Sequence, residues 1–331
     1  MDGICTLAND RVFDQTIALL NSIEAVMGKD FPVCIYPYDD NTDRLKAEIR
    51  DRQNVQLYDD RESIDRWDDF CRQVWEKHPN AFERWRKAGS EGYHRFGTFR
   101  RYGAFDAPFD RYLYMDADTL LLGNVAPIFD KLELFDCIVY DFQYKDLSHV
   151  YDVNYPQLRE VFPESRLRSE IFCSGFYASK KGLFPAEKRE WLLSQLREGD
   201  APVLYPMAPD QTVINYMMMR SNAKIYNFAL ELPQELVTGC CVTSPHFTEE
   251  NRLLYDKGVS LIYLHYIGLS SRLFDRVCQG ENIDFPYRDL FLYYRYLHQE
   301  DKRPKFTTKA KAYNAPPSMM QKIASKLGIK F

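Results

Sequence analysis

No run in this chain approaches the ~18 consecutive apolar residues that a membrane-spanning helix needs, so none is expected to cross a bilayer. The opening residues, Met1-Asp-Gly-Ile-Cys-Thr-Leu-Ala-Asn9, lack a basic stretch followed by an apolar one. No secretory leader is therefore expected. None of the eight cysteines stands in a Cys-x-x-Cys pair, and several fall in apolar, strand-like runs. That pattern fits reduced, buried thiols and a cytosolic protein. There is no internal repeat. Asp and Glu are absent from residues 302–331, where eight Lys and Arg residues stand. Taking those eight from the net charge of −5 leaves −13 on the rest of the chain. An acidic body with a basic tail speaks against a nucleic-acid binder, whose basic surface would lie on the folded domain.

What remains is ordinary for a large α/β protein: 331 residues, 45% hydrophobic and 27% charged. Aromatic residues are abundant, with 23 Tyr and 22 Phe. They serve either a thick core or a cleft lined for sugars or bases, and the core is the commoner use. Residues 3–7 read as a strand, Ala8-Asn9-Asp10 as a polar turn, and 13–27 as a helix by its apolar spacing. This is the opening of a βαβ unit. Further strands are expected at 31–38, 54–58, 112–115, 135–140, 171–178, 223–228 and 261–264. Helices are expected at 95–105, 186–199, from Pro209 onward and at 286–298. Residues 59–99 read as a helical insertion and 141–169 as a long loop region.

The most informative stretch is Arg111-Tyr-Leu-Tyr-Met-Asp116-Ala-Asp118-Thr-Leu-Leu-Leu122. A buried strand ends there in two carboxylates two residues apart. In extended chain they point the same way, and they repel unless a cation sits between them. Hard divalent cations take such oxygen ligands. Taken alone, the same pattern also describes a solvated turn. Three later features bear on the choice: Ser174-Gly175 inside an apolar run, Asp210-Gln211 at a helix start, and His265-Tyr-Ile-Gly268 after another strand. Asp210 there also reads as a helix N-cap.

In that order and at domain-scale spacing, these motifs resemble the nucleotide-sugar glycosyltransferases of the GT-A fold. The resemblance is nearest to glycosyltransferase family 8, which includes glycogenin and bacterial lipopolysaccharide glucosyl- and galactosyltransferases, and it covers residues 3 to 272. It implies a Rossmann-like mixed sheet flanked by helices, with helical additions. The expected catalytic domain spans 1–275, followed by a helical segment at 276–300 and a basic amphipathic tail at 301–331. It implies Mn2+ or Mg2+ held by Asp116, Asp118 and His265. Leu7, Ala8 and Asn9 would border the nucleoside. Arg100 and Arg272 would face the diphosphate, with Ser174, Gly175 and Gly268 around the donor. Asp210 and Gln211 would act at the sugar. The implied reaction is transfer of a hexose from a nucleotide-sugar, expected to be a UDP-sugar, to a glycan, lipid-linked or protein acceptor, with retention of configuration.

The chain departs from the family in three places. Val12 stands where an aromatic residue stacks on the base, Cys173 replaces the Asn before Ser-Gly, and Ser271 occupies the place of a basic residue after His-x-x-Gly. A fold that has lost catalysis is therefore the alternative. A nucleotidyltransferase is disfavoured, because Leu7-Ala8-Asn9-Asp10-Arg11 lacks a Gly-rich phosphate loop. In the tail, Met319, Met320, Ile323, Ala324, Leu327 and Phe331 alternate with Lys322, Lys326 and Lys330. Such a helix suits an anionic membrane surface, which would make the expected cytoplasmic protein peripheral to the membrane, and a disordered or partner-docked terminus is the equal alternative.

Overall fold

The computed structural model describes residues 1–315. In chain order its strands are β1 Asp2–Ala8, β2 Val33–Pro37, β3 Val55–Leu57, β4 Arg111–Met115, β5 Thr119–Leu121, β6 Cys137–Val139, β7 Phe176–Lys180 and β8 Ile225–Asn227. There follow β9 Thr248–Glu250, β10 Leu253–Asp256, β11 Val259–Ser260, β12 Tyr263–His265, β13 Ile283–Asp284 and β14 Lys311–Ala312. Seven of them form one sheet in the order β3-β2-β1-β4-β7-β6-β8. β1 runs parallel to both β2 and β4, while β7 is antiparallel to its neighbours β4 and β6. The sheet is therefore mixed, and the carboxyl ends of β1, β2 and β4 open on one edge. Helices cover both faces, which is why Ile4, Cys5, Leu113 and Tyr114 are all fully buried. β5 and β12 form a separate antiparallel pair beside the sheet.

The predicted insertion folds as two helices, Arg61–Glu76 and Ala81–Lys87. Trp67, Trp75 and Trp85 are completely buried there. Trp67 alone meets Phe70, Tyr102 and Phe105 at ring separations of 5.7, 5.7 and 5.8 Å. Edge-on and tilted contacts of this kind suit the ring quadrupoles. The aromatic excess is thus spent mainly on core, not on a cleft.

Three elements differ from expectation. The strand at 171–178 begins only at Phe176. Before it, the Asn215 side chain bonds both the N–H and the C=O of Phe172, at 2.9 and 2.8 Å. A side-chain amide there satisfies the backbone that a neighbouring strand would otherwise pair. Residues Phe96–Phe105 form a 3-10 helix, not an α-helix. The helix from Ala186 ends at Gln195, and a wide turn through Leu196–Asp200 follows, with Gly199 at φ +134°.

The C-terminal helix Arg288–Arg295 packs on the first helix, Phe13–Met27. Arg295 Nε donates to Asp14 Oδ1 at 2.6 Å, and Asn21 Nδ2 donates to the Tyr294 carbonyl at 2.7 Å. β14 then pairs in parallel with β13, and Arg288 lies over the Phe306 ring at 5.0 Å. The first half of the predicted tail is therefore fastened to the body. The amphipathic stretch Met319–Phe331 lies outside the described residues. Among the described residues, no helix is long and apolar enough to cross a membrane.

Breaking one partner of a buried ion pair leaves the other charge uncompensated, which costs about 3–5 kcal/mol. Arg295→Ala should lower stability by that order in urea denaturation, because both Arg295 and Asp14 are buried.

Candidate active site

Asp116 is the first residue after β4. Its N–H bonds the Gly175 carbonyl at 2.9 Å, and its own carbonyl accepts from Thr119 N–H and Oγ1 at 3.1 and 2.7 Å. This turn sends the chain into β5, whose Thr119 pairs with His265 at the end of β12. The Tyr266 N–H also bonds the Asp118 carbonyl at 2.9 Å. Two strand ends more than a hundred residues apart are so brought side by side. One ligand atom from each of Asp116, Asp118 and His265 lies within 4.8 Å of the others. The set of two carboxylates and one imidazole fits a divalent cation such as Mn2+.

Gly175 makes the cluster possible. A Cβ there would sit 2.6 Å from His265 Cε1 and 2.9 Å from Asp116 Oδ2. The third strand end that approaches the cluster must therefore present bare backbone.

Electrostatics hold the cluster together. Burial pushes the Asp118 carboxyl up, but His265, 3.3 Å away, outweighs it and leaves Asp118 below the usual carboxylate range. Burial likewise disfavours the charged His265, yet Asp118 holds it protonated well above an ordinary histidine. A bound cation must displace that proton. Asp116 is raised by burial, with Arg101 offsetting part of the effect and Asp118 adding to it.

Arg101, the neighbour of Arg100, is the arginine of this helix that turns inward to the carboxylates. Its guanidinium is 2% exposed and lies 3.2 Å from Asp116 Oδ1 and 2.9 Å from Asp210 Oδ2. It also donates to the carbonyls of Ser174 and Thr98 at 2.9 and 3.1 Å. Arg100 points elsewhere, 3.5 Å from Asp68, and does not line the cleft. The reason is the three-residue turn of the 3-10 helix, which sets Thr98 and Arg101 on one side.

A cleft of about 550 Å³ opens beside the cluster. Leu7, Ala8 and Asn9 at the end of β1 line it, with Tyr38 and Asp39 past β2 and Asp116 and Asp118 past β4. Asn9 is pinned, donating from Nδ2 to Asp39 at 2.8 Å and accepting the Arg11 N–H at 3.1 Å. Gly268, at φ +82°, turns the chain after His265 so that Leu269 and Ser271 reach the same cleft. Arg272 is exposed and is not among the residues lining it. Asp210 lies behind Arg101 at the second position of the Pro209–Arg220 helix and makes no cap. Burial pushes its carboxyl up, but Arg101, Arg95 and nearby backbone N–H groups together outweigh that and hold it below the usual carboxylate range. Gln211 is engaged at both ends, accepting from Ser174 N–H at 3.1 Å and donating to the His149 carbonyl at 2.8 Å.

The sequence reading did not single out Tyr38, Asp39, Arg95 or Asp141. Asp141 is 3% exposed and accepts from the N–H groups of Gln143 and Cys173 at 2.7 and 3.1 Å. Burial pushes its carboxyl up to about 7 despite those bonds. Its place after an apolar strand was the available signal.

No family profile matches the chain, and no curated protein matches it. Solved structures do. The bifunctional glycosyltransferase WbbM aligns with 91% of this chain at 14% identity and a TM-score of 0.50. The fold is the GT-A fold. The chain spans 51% of the length of WbbM. Mouse xyloside xylosyltransferase 1 aligns over 69% of this chain and 85% of its own, at 14% identity and a TM-score of 0.47. The galactosyltransferase LgtC, solved with donor and acceptor sugar analogues, aligns over 83% and 94%, at 14% identity and a TM-score of 0.43.

Two outcomes follow from the geometry. Gly175→Ala should weaken Mn2+ binding roughly 10- to 100-fold in calorimetric titration, as disturbed metal surroundings generally do, with the circular dichroism unchanged. Asp141 binds a proton in the folded state up to about pH 7, but only to the ordinary carboxylate range when unfolded. Its contribution therefore falls as pH rises between those limits and stays at its minimum above them. Asp141→Asn should raise the melting temperature relative to wild type more at pH 8 than at pH 5.

Proposed function

We propose that the protein is a metal-dependent glycosyltransferase. It moves a hexose from a nucleotide-sugar, a UDP-sugar by preference, to a hydroxyl of a glycan, lipid-linked or protein acceptor. One observation carries this reading. Within a GT-A fold, Asp116, Asp118 and His265 converge at a cleft on the carboxyl edge of β1, β2 and β4. In open α/β sheets that edge is where nucleotides bind. Carboxylate and imidazole together suit Mn2+ at least as well as Mg2+. Bound by these residues, the ion supplies positive charge against the departing diphosphate.

The chain's own residues do the rest. Asn9, Asp39 and the Tyr38 ring offer polar atoms and a flat face to the nucleoside. Arg101 lies between Asp116 and Asp210 and offsets part of their negative charge beside a charged donor. Asp210 acts on the sugar side, and Gln211 holds the Ser174 backbone that accepts from Arg101. The acceptor oxygen forms its bond to the anomeric carbon as the bond to the diphosphate oxygen breaks. The electron pair stays on that oxygen, and the hydroxyl proton passes to it. Asp116, Asp118 and Asp210 are each held by a cationic neighbour. They make poor covalent nucleophiles, which speaks against a double displacement; with the retention that the family resemblance implies, attack on the same face is the proposed course. The run of basic residues from Lys302 onward, which contains no Asp or Glu, supports contact with an anionic membrane surface on the cytoplasmic side, where a lipid-linked acceptor would lie.

Incubation with a panel of nucleotide-sugars and Mn2+ should release UDP from at least one donor. Asp118→Ala and His265→Ala should each cut that release by roughly 100-fold or more, as loss of a charge-stabilising group does, with the fold intact. Donor binding without release would favour a nucleotide-sugar-binding protein that has lost transfer. An inverted linkage in the product's NMR spectrum would overturn retention.

A further inference from the structure

The cleft is rich in negative charge. Asp39, Asp116 and Asp118 line it, and Asp210 stands just behind. A nucleoside diphosphate adds more. The cations already described are spent: His265 faces Asp118, and Arg101 is buried and bonded to two carboxylates and two carbonyls. Arg100 pairs with Asp68, and Arg272 does not line the cleft. Two lining cations remain exposed and have no ion-pair partner among the described residues, Arg11 and Arg95.

Of these, Arg95 is held on the side of the reacting groups. It directly precedes the 3-10 helix that carries Arg101. Its backbone is left-handed, φ 51° and ψ 38°, a conformation that costs a non-glycine residue about 1 kcal/mol or more. The strain is fixed by its carbonyl, which accepts from both Thr98 N–H and Thr98 Oγ1 at 2.9 and 2.7 Å. Two residues on, Gly97 lies flat against Tyr38. A Cβ there would fall 2.2 Å from the Tyr38 carbonyl oxygen. The chain just after Arg95 is thus held against the cleft wall, and the Arg95 guanidinium at its start has no ion-pair partner among the described residues. Its charge already reaches the site, since Arg95 helps Arg101 keep Asp210 ionised and favours the anionic form of Tyr38. Strained backbone held in place by its surroundings is characteristic of ligand-binding positions.

We propose that Arg95 is the residue that binds the diphosphate of the nucleotide donor, the position assigned on sequence to Arg100 and Arg272. The assignment rests on the donor being a nucleoside diphosphate sugar. A guanidinium matches phosphate oxygens in pairs, and a neighbouring cation held by carboxylates leaves room for it.

The test is calorimetric titration of wild type, Arg95→Ala and Arg95→Lys with UDP and with uridine, both in Mn2+, and with Mn2+ alone. Arg95→Ala should weaken UDP roughly tenfold or more, the usual scale for a lost charge-assisted bond, and leave uridine and Mn2+ unchanged. Arg95→Lys should recover part of the loss. Equal weakening of UDP and uridine, or no change in either, overturns the assignment while leaving the donor reading in place. A wild-type chain that binds none of UDP, GDP or ADP overturns the donor reading, and the assignment with it.

Discussion

The site depends on one buried guanidinium. Arg101 meets Asp116 at the end of β4, Asp210 on the Pro209–Arg220 helix, the Ser174 carbonyl before β7, and the Thr98 carbonyl on its own helix. Four segments that are distant in sequence are joined by one side chain. A charge buried to this depth is tolerable only when its donors are filled, and here two carboxylates and two carbonyls fill them. The Tyr114 ring, 4.7 Å from its centre, and the Tyr114 hydroxyl on Asp116 at 2.9 Å close the remaining side. Without Arg101, Asp116 and Asp210 would face each other across a water-poor wall. The strand end that carries Asp116 and the helix that carries Asp210 are thus one electrostatic unit.

Much of this unit was legible in the chain. The carboxylate pair, Ser174-Gly175, Asp210-Gln211 and His265 carry their chemistry in the residue types themselves, and their order survives in any fold that brings strand ends together. The parallel β1, β2 and β4 followed from apolar runs that end in polar turns. What failed were phase and partner. Arg100 and Arg101 are adjacent, and only the pitch of the helix decides which one turns inward. An α-helix was the natural expectation for 95–105, and the actual 3-10 turn rotates the face. The strand at 171–178 failed for a related reason, because nothing in Ile171-Phe-Cys-Ser announces that Asn215 will take over its backbone bonds. Asp141 and Tyr38 were missed because a lone acid or tyrosine after a strand has many ordinary uses.

What the arrangement requires is short: carboxylates after β4, bare backbone at Gly175, an imidazole beside Asp118 and a cation to balance Asp116 and Asp210. The rest has only to fill volume, and here it does so with aromatic side chains. The helices at 61–76 and 81–87 bury three tryptophans, and Trp67 packs on Tyr102 and Phe105 of the 3-10 helix that bears Arg101. The insertion thereby holds Arg101 from outside the sheet. Packing of this density resists small shifts, and a site built on one shared guanidinium needs that rigidity.

The C-terminal helix belongs to the same argument. It grips the start of the first helix, where Asp14 meets Arg295 at 2.6 Å and Phe13 lies beneath Arg44 at 3.7 Å and near Arg295 at 5.5 Å. Val12 and Gln15, on either side of that pair, line the cleft. The residues at the Asn9 side of the cleft are therefore set partly by chain from nearly three hundred positions later. The Ser271–Cys278 helix reinforces the link: it leads from the cleft-lining Ser271 into the aromatic cluster of Phe274, Phe285 and Phe291 beneath the C-terminal helix. A boundary drawn after residue 275 would cut through one continuous packing unit. Loosening the Arg288–Arg295 helix would accordingly be felt at the Val12 and Gln15 side of the cleft before it was felt at Asp116 or Asp210, which Arg101 anchors independently.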